Sequence, residues 1–233
     1  VHDAAYTFSD VAAGDDIRIV HAETASTITF DVTSNVDARL YSLRRPAQLN
    51  SVSDGDGEIT LFTNGWIEDR ETIGDLRVGT ITSTHDDVTL TALENTASIL
   101  DDGTITDGSA RVVGRDIVLV AGLLSGRVGG PGLFGTGFGG DPLEIDSSYS
   151  ARGGVFVIAG GDIRLVETDG DYYGIFARSL TGDLGIETRN GSIRNDVDDR
   201  STRFVARNID LVASGAVGAS TADFSGDLYI DTA

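Results

Sequence analysis

A turn residue followed by two apolar positions with one residue between them recurs along the chain. The phrase reads Asp16-Ile17-Arg18-Ile19, Glu58-Ile59-Thr60-Leu61, Asp75-Leu76-Arg77-Val78, Asp87-Val88-Thr89-Leu90 and Asp116-Ile117-Val118-Leu119. It returns as Asp162-Ile163-Arg164-Leu165, Asp183-Leu184-Gly185-Ile186, Asn208-Ile209-Asp210-Leu211 and Asp227-Leu228-Tyr229-Ile230. Period-two alternation sends the two apolar residues to one side of a strand and the middle residue to the other. Ile163, Leu165, Leu184, Ile186, Ile209, Leu211, Leu228 and Ile230 are therefore expected to face one core. No stretch carries a capped 3.6-residue apolar period, so helix content should be very low.

Most steps between phrases lie near twenty residues, which suits a coil of two or three short strands. One coil cannot bury its own apolar residues, whereas stacked coils pair their backbones at about 4.8 Å and share a continuous core. The expected fold is all-β, a single-stranded parallel β-helix of roughly eleven coils, on the order of 50 Å long. A weaker series, Gly191-Ser192-Ile193 and Gly215-Ala216-Val217, marks a further strand of the coil. One continuous segment spanning 1–233 is expected, interrupted by a lateral loop at 39–50 and a Gly-rich insertion at 122–140. Both termini read as repeat without capping segments, so the chain is expected to be part of a longer one, and its open ends should recruit neighbouring copies or further coils.

Composition sharpens this picture. The 233 residues carry a net charge of −20, with 29 Asp, 8 Glu, 17 Arg and no Lys. Asp and the 30 Gly favour turns over helices. Nucleic acid and anionic membrane surfaces are poor partners, because phosphate contacts need clustered basic residues. No apolar run is long enough to span a bilayer. Absence of Cys excludes disulfides, thiolate zinc sites and cysteine nucleophiles.

Gly140-Asp141-Pro142-Leu143-Glu144-Ile145-Asp146, Gly154-Val155-Phe156-Val157, Gly161-Asp162-Ile163-Arg164-Leu165 and Asn208-Ile209-Asp210-Leu211-Val212-Ala213-Ser214-Gly215 resemble the repeat region of filamentous-haemagglutinin-type bacterial adhesins and exoproteins. The resemblance is clearest from about Arg115 to Ala233. It implies a right-handed parallel β-helix in a large surface or secreted protein, with an extracellular or cell-surface location.

Candidate chemistry is sparse. His2, His21 and His85 show no metal-ligand spacing. Acid pairs such as Asp86-Asp87, Asp101-Asp102 and Asp198-Asp199 are expected turn residues rather than catalytic dyads. Gly135-Thr136-Gly137-Phe138-Gly139-Gly140 spells a dinucleotide motif, but Asp141-Pro142 follows where a helix should start. Asn190-Gly191-Ser192 reads as a turn before it reads as a glycosylation sequon. Calcium is the one candidate cofactor, through Asp54, Asp56 and Glu58, with Asp101, Asp102 and Asp107 as a weaker echo. Acids opening the phrases should stack in a row at about 5 Å, so that they either cap turn amides and splay into water or are neutralised by cations and arginines.

Leu133, Phe134 and Phe138 are the candidate partner-binding residues, because apolar side chains in a bulge must fold back, cover an end or meet another molecule. Trp66, Tyr172 and Tyr173 could stack on sugar rings. The expected function is a non-catalytic extracellular rod, adhesin-like or matrix-forming, that binds a host or matrix glycan through lateral loops. The alternatives are a carbohydrate-active β-helix enzyme, lyase or hydrolase, and a structural filament or surface-layer subunit.

Overall fold

The computed structural model describes residues 66–71, 74–101, 109–130, 141–149, 152–195, 201, 203–218 and 228–232, together with the backbone of strands at 6–9, 17–21, 28–31, 38–42 and 58–63. The described residues form strands and turns and no helix. In chain order the strands begin with β1 (Tyr6–Ser9), β2 (Ile17–His21), β3 (Ile28–Asp31), β4 (Ala38–Ser42), β5 (Glu58–Thr63), β6 (Ile67–Glu71) and β7 (Leu76–Ser83). Next come β8 (Val88–Ala92), β9 (Ile99–Asp101), β10 (Val112–Val113), β11 (Ile117–Val120), β12 (Leu143–Asp146), β13 (Val155–Ala159) and β14 (Ile163–Glu167). The last are β15 (Tyr172–Ser179), β16 (Leu184–Thr188), β17 (Ile193–Asn195), β18 (Phe204–Ala206), β19 (Ile209–Ala213) and β20 (Ile230–Thr232).

Two parallel sheets run side by side along the chain, which is a parallel β-solenoid. The first is ordered β1-β3-β5-β7-β10-β12-β14-β16-β19 and the second β2-β4-β6-β8-β11-β13-β15-β18-β20. Among the described residues each path has nine rungs, which at about 4.8 Å per rung extend about 40 Å. Coil length is uneven. Asp162 and Asp183 occupy equivalent positions 21 residues apart, whereas Asp116 and Gly154 are separated by 38. The recurring phrase also opens strands of both sheets: Leu76, Ile163 and Leu184 start rungs of the first, Val88 and Ile117 rungs of the second.

The long strands β7 and β15 carry register shifts against β5 and β13, and each pairs with two further strands. Leu76–Val78 of β7 pairs with β9 while its far end pairs with β10. Tyr172–Gly174 of β15 pairs with β17 and Ala177–Arg178 with β18. Ile193 bridges Val217, so the weaker Gly-initiated series is indeed another stacked position.

The core lies between the sheets. Ile163, Leu165, Leu184 and Ile186 are fully buried as the alternation requires, and Ile209, Leu211 and Leu228 pack against them half-buried. Ile230 departs from expectation and is exposed, because no described coil lies beyond it. Turns stack as closely as strands do: a Cβ on Gly191 would lie 1.8 Å from the Gly170 carbonyl oxygen, so only glycine fits there.

The two expected interruptions fall only partly within the described residues. Residues 39–42 belong to β4, with Leu40 paired to Ile19 and Asp69, and 43–50 lie outside the described residues. Residues 122–130 stay within the coil, where Val128 bridges Ile99 and Ile163. The remainder of that insertion, with Leu133, Phe134 and Phe138, lies outside the described residues.

Candidate binding surface on the second sheet

Strands β11 and β13 are apolar at both parities, and that departure from alternation builds the surface. Ile117, Leu119, Val155 and Val157 fill the core, which forces Val118, Val120, Phe156 and Ile158 to the outer face. Register then lines them up: Thr89, Val118, Phe156 and Phe176 in one row, Thr91, Val120, Ile158 and Arg178 in the next. The Phe156 and Phe176 rings are 5.7 Å apart between centroids and inclined at 31°. All but Arg178 are half-buried, as expected of side chains standing among their own neighbours on a sheet, and Arg178 is exposed.

Exposed leucines extend this face around its corner. Leu93 follows β8 and Leu180 follows β15, while Leu123 and Leu124 lie in the turn between them, at 53% and 65% exposure. The turn is pinned to the coils on either side: the Leu124 N–H donates to the Asn95 carbonyl, and the Gly160 N–H to that of Gly122. Gly160 has no Cβ because one would meet the Gly122 carbonyl oxygen at 2.5 Å, and the Leu123 and Leu124 backbones equally closely.

The corners hold the acids in separate columns rather than one row, because successive phrases open different sheets. Within each column a side-chain oxygen accepts the backbone N–H one coil on. Asp75 Oδ1 accepts from Ser98 (2.7 Å), Asp87 Oδ1 from Asp116 (3.2 Å) and Asp116 Oδ1 from Gly154 (2.8 Å). Asp162 Oδ1 accepts from Asp183 (3.0 Å) and Asp171 Oδ1 from Ser192 (2.7 Å). Ser98 and Ser192 pass the same bond onward to Arg127 and Ala216 through their hydroxyl oxygens.

Arginines one coil on complete the neutralisation. Arg115 reaches both Asp86 and Asp87, Arg194 Nε lies 2.8 Å from Asp171, and Arg207 Nε 2.9 Å from Asp183. Partial burial pushes the Asp171 carboxyl up, but the Ser192 N–H, Arg194 and the Tyr173 hydroxyl outweigh it and hold it below the usual aspartate range. Hydrogen bonds from Arg207 and Asn208 do the same for Asp183. Capping and neutralisation by arginine therefore operate together.

Inside the coil the chemistry reverses. Asp69 sits at an inward position of β6 between Leu40 and Leu90 in register, fully buried, with neither carboxylate oxygen hydrogen-bonded. Burial, with the Glu71 charge behind it, pushes its carboxyl well up. Glu167 is also buried and raised by desolvation, but it accepts the Ser147 N–H (2.9 Å) and hydroxyl (2.6 Å). Tyr172 is in the core against Phe204 with its hydroxyl unpaired, so it does not present a ring to sugars as expected. Tyr173 is half-buried under the Arg152 guanidinium at 4.1 Å.

Among the described residues no three His, Asp or Glu side chains form a group that could hold a metal ion. Asp54 and Asp56 lie outside the described residues, as does the Glu58 side chain. Asp101 of the weaker echo is buried, 3.6 Å from the Arg111 guanidinium, and Asp102 and Asp107 lie outside the described residues. The Asn190 amide donates to the Thr168 carbonyl at 3.2 Å, in keeping with its turn reading. His85 is exposed beside the Thr84 hydroxyl.

Sequence reasoning missed the outer face. The signal was present in the unbroken apolar runs Ile117-Val118-Leu119-Val120 and Val155-Phe156-Val157-Ile158, which one-sided burial does not need. No family model matches the chain, and neither the curated proteins nor the solved structures contain a match.

Proposed function

We propose that this chain is a segment of an extracellular, adhesin-like rod of the filamentous-haemagglutinin type, without catalytic activity. Its ligand is a host or matrix glycan, held laterally on the second sheet. The observation that supports this most is the outward apolar row with the Phe156–Phe176 pair, continued by Leu123 and Leu124. A rigid stack of coils with an apolar, aromatic strip suits stacking of sugar faces, repeated along a long axis. This reading puts the binding surface on a sheet face and its adjoining corner. Among the described residues, Asp86 and Asp87 are engaged with Arg115 and Glu167 with Ser147.

The test is binding of the full chain to an array of immobilised glycans, beside a Phe156→Ser/Phe176→Ser variant and a Leu123→Ser/Leu124→Ser variant. Retention of at least one glycan class by the parent, lost in the phenylalanine variant while its circular dichroism is unchanged, is the expected outcome. No retention by the parent, or equal retention by all three proteins, contradicts the reading.

A further inference from the structure

Acids are distributed unevenly between the two outer faces. On the first sheet, Glu144 and Asp146 of β12, Glu187 of β16 and Asp210 of β19 all take outward positions. On the second, the outward rows run from Thr89 and Thr91 of β8 to Phe176 of β15 and Val205 of β18 without a single acid. Charge returns on the rung to either side, as Glu68 and Arg70 on β6 and Asp231 on β20. The chain carries a net charge of −20, yet five consecutive rungs of this face form an acid-free strip about 19 Å long and two rows, or about 7 Å, wide. Phe156 and Phe176 lie within it, the hydroxyls of Thr89 and Thr91 mark one end, and the exposed Arg178 guanidinium stands toward the other.

We propose that the glycan of this face is a neutral, straight polysaccharide of the cellulose type, bound along its length with the chain parallel to the rod axis. The inference rests on the lateral glycan reading and names the class of sugar. Such a chain shows flat C–H faces above and below and directs its hydroxyls to its edges. The faces stack on Phe156 and Phe176, while the threonine hydroxyls and Arg178 reach the edges. Across the strands the strip is only two rows wide before Asp87 and Asp116 of the corner, so an extended ligand follows the axis. At about one sugar per rung the strip takes on the order of four units, which makes it a reader of internal chain rather than of a terminal sugar. A curled, α-linked chain leaves a straight strip almost at once. Arg178 is the one cation in these rows, and the net charge of the chain opposes any anionic polymer.

Calorimetric titration of the full chain with soluble oligomers from cellobiose to cellohexaose, and with the maltose series of the same lengths, tests the proposal. Affinity should rise by roughly tenfold or more between cellobiose and cellotetraose and level off beyond it, with maltotetraose at least about tenfold weaker than cellotetraose. Thr89→Asp and Val205→Asp put an acid at either end of the strip. Folded by circular dichroism, both should weaken cellohexaose by about fivefold or more and leave cellobiose unchanged. Val212→Asp, opposite Glu187 on the outward face of the first sheet, should change neither. Affinity independent of oligomer length, or maltotetraose bound as tightly as cellotetraose, overturns this inference and leaves the glycan reading standing. So does failure to bind any cello-oligomer while another glycan is retained on the array. Equal weakening of cellobiose and cellohexaose by the end variants overturns it too, whereas a chain that binds no glycan at all overturns both readings.

Discussion

Asp171 and Asp69 are the same residue type in one repeating architecture, and their surroundings shift their carboxyl groups in opposite directions. Asp171 stands at a corner, where the N–H of Ser192 and the guanidinium of Arg194 converge on its two oxygens. Asp69 occupies an inward position, between positions filled by Leu40 and Leu90, with no donor on either oxygen. Those surroundings hold the first carboxyl below the usual aspartate range and push the second well above it. Acids at the corners join one coil to the next, whereas Asp69 inside the coil has no donor to hold it as an anion.

The largest effect should come from adding a second acid of the Asp69 kind where no adaptation exists. Leu165→Asp places a carboxyl in the fully buried centre of β14 and should cost about 4 kcal/mol, read by urea denaturation, with loss of the neighbouring rungs. Asp69→Leu is the converse. Removing a buried, unpaired carboxyl and matching the flanking leucines should stabilise the chain by about 2 kcal/mol at pH 7.

The same variant separates the two classes by pH. Because the Asp69 carboxyl is raised on folding, its contribution is most favourable below the ordinary aspartate range and is lost as pH climbs toward its raised value. Asp69→Leu should therefore gain more over the parent at pH 7 than at pH 4. For Asp171 and Asp183, lowered on folding, the contribution is present above the ordinary aspartate range and is lost as pH falls through their depressed values.

A smaller loss is expected at the corner. Asp171→Ala strands the Ser192 N–H and Arg194, at a cost of about 1.5 kcal/mol. Asp171→Asn should recover much of it, since the amide oxygen still accepts the N–H. The smallest shift belongs to Tyr172→Phe, which deletes a buried, unpaired hydroxyl and should raise stability by about 1 kcal/mol. Instability of that variant would place an undetected partner on the hydroxyl.

The alternation around Ile163, Leu165, Leu184 and Ile186 made the solenoid legible, because burial on one side leaves a period-two trace that needs no knowledge of partners. Which sheet each phrase opens was not legible. Leu76 and Val88 carry the same local pattern, and only the intervening turn sends them to different sheets. That is why a single row of acids was expected where separate columns exist. The arginine clamps do have a trace, since Arg115 precedes Asp116 and Arg207 precedes Asn208 at the position that lands over the aspartate of the previous coil. Coil length decides the alignment, and local sequence does not display it. The outer face was obscured for a different reason: Phe156 and Ile158 look like additional core in an apolar run, and only register shows them on the other side of β13.

Carboxyl carbon-13 titration, with Asp69 and Asp171 assigned through single substitutions, tests most directly that position in the coil decides what an acid does. The account predicts that Asp69 titrates well above the pH at which an ordinary aspartate does, and Asp171 below it. Titration of Asp69 at or below the ordinary aspartate pH in the folded chain, or the two residues titrating together, would contradict it.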